Sequence, residues 1–482
     1  MQTEHLYGRS GDRARQADTL AVFSVLWALA AVWHLLGNPL TAPGWAQAVL
    51  AVGAGIVLLL PGAPMAMALL AVGGLITMWE EAPLLGNHWL LAAFVDLAIL
   101  MAVSTGMVRR RPHDRVDMAN RLLPVARLCL LGFYSFAAFA KLNSAFFDRS
   151  VSCATFYFRE STDSIGLSGL QLGGAAWLQH VVIVATVAIE LSIPLLLLHR
   201  RTRRIGVVVG LGFHTILAAD HTHQFFDFSS VLFALLVLFL PPLAGTWVGE
   251  RMGSIRARLA LRHERLPERV HLAVVAAPTV AGLLVAFDVL TPMAALDVGW
   301  WPWQLFAVTV LVTTLRFLRQ DRSPARARLT PHHALFALVP LLVLANGLTP
   351  YFEVKTGYGW NMYANLRTVD GETNHLLLPG TFPLTDEQAD LVEIIETDAP
   401  GLASYAREGY ALTWRQLRTY LARNPGVRIT YKRGNELVSL HRADDRPAAV
   451  EPVPGWREKV QLFRAVDLHD PERCLPSFGA AR

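Results

Sequence analysis

The sequence predicts an all-α polytopic membrane domain over residues 1–350, with about eleven transmembrane helices, and a small α+β extracytoplasmic domain over residues 351–482. Three observations predict it. Charged residues make up 17% of the chain and hydrophobic ones 53%, where a soluble domain carries roughly 25% charge. Apolar runs near the length needed to cross a bilayer, about 17–25 residues, follow one another through the first 350 positions. Lysine and arginine gather in alternate connections between those runs.

The runs lie at 20–36, 44–60, 64–78, 88–108, 122–146, 177–198, 205–219, 228–243, 270–290, 303–317 and 333–348. The third, seventh and last are short, as tilted or protein-buried helices are. The polar start, 1–17, has no apolar core or small-residue cleavage site of a removable signal, so the first run reads as a retained anchor. Connections on one side hold 22 lysines and arginines, and those on the other side hold 2. The positive-inside rule then puts the N-terminus in the cytoplasm and everything after Tyr351 outside. Rich use of Ala, Arg, Leu and Val suits a GC-rich bacterium, hence a multi-pass protein of the inner membrane. The net charge of +5 comes from these loop arginines and does not indicate nucleic acid.

The tail changes character. "TWRQLRTYLARNPG" reads as a helix capped by Thr413 and stopped at Asn424-Pro-Gly. "VRITYKRGNELVSL" alternates around Arg433-Gly434-Asn435 and reads as a hairpin. Cysteines number 3: Cys129 within a run, and Cys153 and Cys474 on the oxidising side, where they can pair or remain free thiols. No internal repeat, nucleotide-binding glycine loop, or HExxH or CxxC spacing is present, and no metal is expected.

Polar residues inside the apolar runs carry the functional question, because a buried charge costs at least about 2.5–3.5 kcal/mol on insertion scales. Lys141, in "FAAFAKLNSAFF", either snorkels to the headgroups or faces the protein interior. Arg127, Leu131, Tyr134, Ala138 and Lys141 recur at helical spacing on one face, which favours the interior. Asn87-His88 opens the fourth run and His214 lies in the seventh, above Gly206 and Gly210, whose spacing allows close helix contact. "DHTHQFFDF" adds acids and imidazoles at the outer rim, where Asp220, His221 and His223 also suit a solvated loop. Glu190 reads as support for a kink at Pro194, and Asp96 as the partner of an arginine such as Arg127.

"GNHWLLAAFVDLAI", "FYSFAAFAKLNSAFF", "ELSIPLLLLHRRTRRIGVVVGLGFHTILA" and "NMYANLRTVDGETNHLLLPG" together resemble the vitamin K-dependent γ-carboxylase-like family, also called the horizontally transferred transmembrane (HTTM) domain, in a bacterial branch. The resemblance implies a membrane enzyme in which Lys141 is the base that deprotonates a quinol, vitamin K hydroquinone or menaquinol. It places His88 near the reacting glutamate and gives His214 a further catalytic place, with Asn87 and Tyr134 at the cofactor. O2 and CO2 are then co-substrates, a glutamate-containing peptide or small molecule is the acceptor, and membrane lipid surrounds the chain. Desolvation around Lys141 is expected to leave its amine neutral and able to accept a proton, so an apolar cavity shared with His88 and His214 is expected. The run after Lys141 departs from the animal enzyme, which has Leu-Asp, a Trp and a Gly there, and the tail is far shorter than that enzyme's propeptide-binding portion. The alternative is a non-catalytic, transport or lipid-binding membrane protein on the same scaffold.

Overall fold

The computed structural model describes residues 2–37, 42–170, 174–262, 264–323, 325, 327–441 and 454–475. The chain is mostly helical and divides into two compact units that interleave in sequence. The first holds Met1–Glu81, His88–Tyr134 and Leu191–Val343; the second holds Ala82–Asn87, Ser135–Glu190 and Leu344–Arg482. The C-terminal segment therefore folds together with residues from the middle of the chain.

Among the described residues, six helices are long and apolar enough to cross a membrane: Arg13–Gly37, Asn87–Val108, Arg115–Ala140, Ala176–Leu198, Leu266–Ala286 and Val298–Gln320. This marks an integral membrane protein. Large apolar side chains stand exposed along these helices, Val184, Leu195 and Leu305 among them, as a lipid-facing surface requires. A pair of helices, Phe225–Phe239 and Leu243–Leu261, passes the same test but bends by 110°, giving up to seven spans. The expected eleven is not reached. Gly44–Leu59 has 16 residues, Arg203–Leu217 has 15 and Leu338–Leu348 has 11. At about 1.5 Å per residue these fall short of a hydrocarbon core about 30 Å thick.

In the first unit the helix Gln2–Gly37 is central, packed by Gly44–Leu59, Phe225–Leu236, Leu243–Arg262, Leu266–Ala286 and Pro292–Gln320. Glycine lets two neighbours touch backbone to backbone: a Cβ on Gly53 would lie 2.9 Å from Leu70 Cα, and one on Gly73 3.0 Å from Leu50 Cα. Gly210 admits the Leu236 side chain, 2.8 Å from where a Cβ would stand, the close helix contact that its spacing predicted. Asp96 does not pair with Arg127. Its carboxylate accepts from Trp27 Nε1 at 2.8 Å. Arg127 instead donates to the Leu238 carbonyl, in a short 3-10 turn, at 2.8 Å and to the Arg328 carbonyl, in an irregular segment, at 3.0 Å.

In the second unit an antiparallel sheet of five strands runs in the order Glu436–Leu440, Ile429–Arg433, Leu391–Thr397, Tyr410–Thr413, Val466–Asp467. The hairpin turns at Gly434, whose φ of +57° suits glycine. Trp414–Arg423 forms the expected helix: Thr413 and Gln416 make a reciprocal capping box, and Asn424 ends it. Its Leu417 and Leu421 bury against Val392, Leu402, Leu412 and Tyr431. Cys153 and Cys474 are bonded, with Sγ atoms 2.08 Å apart across 321 residues. Asn365 holds both flanks: its Oδ1 accepts from Cys153 N, and its Nδ2 donates to the Val151 and Glu472 carbonyls.

Candidate functional site

Lys141 is buried, and it lies beyond its helix rather than within it. The run expected to continue to residue 146 ends as a helix at Ala140, and the chain turns through Lys141, Leu142 and Asn143. Asn143 fixes the turn. Its Oδ1 caps the short helix Ser144–Phe147 through Phe146 N at 2.8 Å, while its Nδ2 donates to the Ala140 and Ala364 carbonyls. Ser144 N donates to Asn374 O, Leu376 N donates to Leu142 O, and His375 Nε2 reaches Phe139 O at 2.9 Å.

Lys141 Nζ lies 2.8 Å from Glu190 Oε2, in ion-pair range although not at a hydrogen-bond angle. It also donates to the Ala137 and Met362 carbonyls at 3.3 and 3.4 Å. The expectation of an apolar shell around the amine is therefore corrected: a carboxylate and two carbonyls surround it, because a buried ammonium needs partners. Glu190 serves Lys141, which spacing alone did not reveal. Apolar groups begin one residue away, where Ala140 packs with Tyr351, Ala364 and Leu366 beside Phe136 and Phe139. Three of the four quoted motifs thus meet at this pair, contributing Lys141, Glu190 and Met362. Asn87, expected at the cofactor, is buried and accepts from Trp360 N at 3.1 Å.

The first unit builds a separate polar cluster. His34 Nδ1 and His88 Nε2 each lie 2.9 Å from the same oxygen, Asp227 Oδ2. His34 Nε2 faces Glu81 Oε2 at 3.3 Å, and Trp89 stacks on the His34 ring at 3.8 Å between centroids. One donor atom from each of His34, His88 and Asp227 falls within 4.8 Å of the others, so the three can hold a metal ion. Phe228 stands between this cluster and His214, its ring centroid 5.5 Å from His88 and 5.1 Å from His214. His214 is fully buried, bonded through Nε2 to the Tyr134 hydroxyl and through Nδ1 to Ser229 Oγ at 3.3 Å.

His88 and His214 are thus brought to one aromatic ring in the first unit, and Tyr134 serves His214. Lys141 belongs to the second unit, where its charged partner is Glu190. The rim residues Asp220 and His223 form a local turn, with Asp220 Oδ1 accepting from the Thr222 and His223 amides and His223 Nδ1 2.9 Å from Asp220 Oδ2. His34, Glu81 and Asp227 were not singled out in sequence. Each stands near the end of an apolar run, and that shared level was the available signal. Comparison with known proteins finds no match among protein-family models, curated proteins or solved structures.

Proposed function

We propose that this chain is a multi-pass enzyme of a bacterial inner membrane, with its N-terminus cytoplasmic and its C-terminal sheet outside, that couples quinol oxygenation to carboxylation of a glutamate or related acid. The topology counts the shorter helices as crossings too, so that eleven runs alternate sides and all the arginine-rich connections share one side. The observation that carries the enzymatic reading is the buried Lys141–Glu190 pair, drawn from two of the motifs on which the family resemblance rests, with the Met362 carbonyl of a third beside it.

The quinol supplies, on oxygenation, a base strong enough to remove the γ-proton of a glutamate, whose carbanion takes CO2. The balance is quinol, O2, CO2 and a glutamyl C–H giving quinone epoxide, water and the carboxylated product. The chain's own part is the first proton. At rest the pair holds one proton between amine and carboxylate. With that proton on Glu190, the neutral Lys141 amine would accept a second from a quinol hydroxyl, so the pair would end with both groups protonated. A Lys141 ammonium formed there would offset the negative charge left on that oxygen, in a dry site where such contacts are strong. Phe136, Phe139 and Tyr351 supply aromatic surface suited to a quinol ring.

The test is turnover by the purified full chain in nanodiscs, given vitamin K hydroquinone or menaquinol, O2, labelled CO2 and a glutamate peptide. Quinone epoxide is read by mass spectrometry. Lys141→Arg keeps a cation beside Glu190 but stays protonated, so it is expected to fold and to make no epoxide. Wild-type protein that oxidises neither quinol would sink the enzymatic reading and leave the transport or lipid-binding alternative.

A further inference from the structure

We propose that His34, His88 and Asp227 bind a divalent first-row transition-metal ion, with Glu81 holding His34 from behind. This stands apart from the quinol reading and uses none of its residues but His88. The three ligands come from three helices: His34 from the last turn of Gln2–Gly37, His88 from the start of Asn87–Val108, and Asp227 from the first turn of Phe225–Leu236. Chain separations of up to 193 residues rule out a merely local turn.

Hydrogen accounting favours an ion. Both ring nitrogens of His34 face carboxylate oxygens, Asp227 Oδ2 at 2.9 Å and Glu81 Oε2 at 3.3 Å. A neutral imidazole has one N–H and one lone pair, so it cannot donate to both. Without a metal the cluster must hold an extra proton in a place where the His34, Glu81 and Asp227 side chains are only 5%, 6% and 1% exposed. An ion removes the conflict. His34 Nδ1 and His88 Nε2 turn lone pairs to it, Asp227 Oδ2 binds as carboxylate, and His34 Nε2–H donates to Glu81. A ligating histidine with its far N–H on a carboxylate is the usual support of a metal-bound imidazole.

The distances and charges agree. Ligand bonds of about 2.0–2.1 Å meeting near 90° put donor atoms about 2.9 Å apart, which is the spacing of Asp227 Oδ2 from each imidazole nitrogen. Two histidines and one carboxylate leave positions open on a six-coordinate ion. Two carboxylates, Asp227 and Glu81, balance a divalent charge. The His88 side chain is 12% exposed, the most open of the four.

The test is made on the full chain, purified in detergent through an affinity tag without histidines and stripped with a chelator. Co2+ is titrated anaerobically, visible absorption bands are followed, and the ions retained after desalting are counted by mass spectrometry. Wild-type protein is expected to saturate near about one ion per chain, and Glu81→Gln to bind about 10–100-fold more weakly. Asp227→Asn and His34→Gln are expected to abolish the bands, while Lys141→Arg binds as wild type. Wild-type protein that gives no bands in excess Co2+ would overturn the proposal. So would Asp227→Asn and His34→Gln variants that bind as tightly as wild type. The wild-type titration decides the matter even if a variant fails to fold.

Discussion

Lys141→Ala leaves the Glu190 carboxylate behind, 12% exposed and stripped of the ammonium 2.8 Å away. Removing one member of a buried pair costs about 3–5 kcal/mol, because the remaining charge is left largely buried without its counter-charge. Glu190→Gln should cost less, toward about 2–3 kcal/mol, since the ammonium keeps the Ala137 and Met362 carbonyls as acceptors. The double variant Lys141→Met/Glu190→Leu removes both charges and keeps the volume, so its stability should lie within about 1 kcal/mol of wild type or above it. Denaturant unfolding near neutral pH of wild type, the singles Lys141→Met and Glu190→Leu, and this double variant closes a double-mutant cycle. The singles should be far worse than the double. A Lys141→Ala loss under about 1 kcal/mol, or a double variant equal to the sum of the singles, would show that the two groups do not depend on each other.

Two further outcomes are expected. Replacing Cys153 and Cys474 by serine, or reducing them, should lower stability by about 2–5 kcal/mol, since the bond closes a loop of 321 residues; an unchanged unfolding midpoint in reductant would contradict this. His375 should make the protein acid-sensitive. Burial lowers its imidazole below the ordinary 6.5, although the Phe139 carbonyl opposes that shift. The ring is held neutral, with Nε2–H on Phe139 O and Nδ1 accepting from Leu377 N at 3.1 Å. Below about pH 6.5 the unfolded chain takes a proton that the folded ring refuses, so stability is present above that value and is lost as pH falls. His375→Gln should flatten the loss between about pH 7 and 5, measured by unfolding at each pH, and an equally steep loss in the variant would assign the acid sensitivity elsewhere.

Several features were legible in sequence because their causes are local. Lipid demands that each spanning segment satisfy its own backbone hydrogen bonds and present apolar side chains, so composition within a window revealed the six long helices. Composition within a window does not separate a short crossing from an apolar helix buried in protein, where no minimum length applies. The Thr413 cap and the Gly434 hairpin depend on residues within a few positions of each other. The cysteine pair was legible by elimination, with only two thiols left outside the spans. Lys141 and His88 were legible as costly polar groups in apolar surroundings.

The sequence by itself determined that the chain belongs in a membrane, where its apolar helices run, and which polar residues required an explanation. Only the tertiary structure decided what those residues touch. Glu190 looked like support for a kink and is the counter-charge of Lys141; Asp96 looked like an arginine's partner and takes a tryptophan N–H instead. His34, Glu81 and Asp227 become a site only when the ends of distant helices meet around His88. The physical reason is that apolar burial and backbone hydrogen bonding are charged to each segment separately. A buried charge, by contrast, is satisfied by any group of opposite character that packing brings near, and chain distance does not enter that energy.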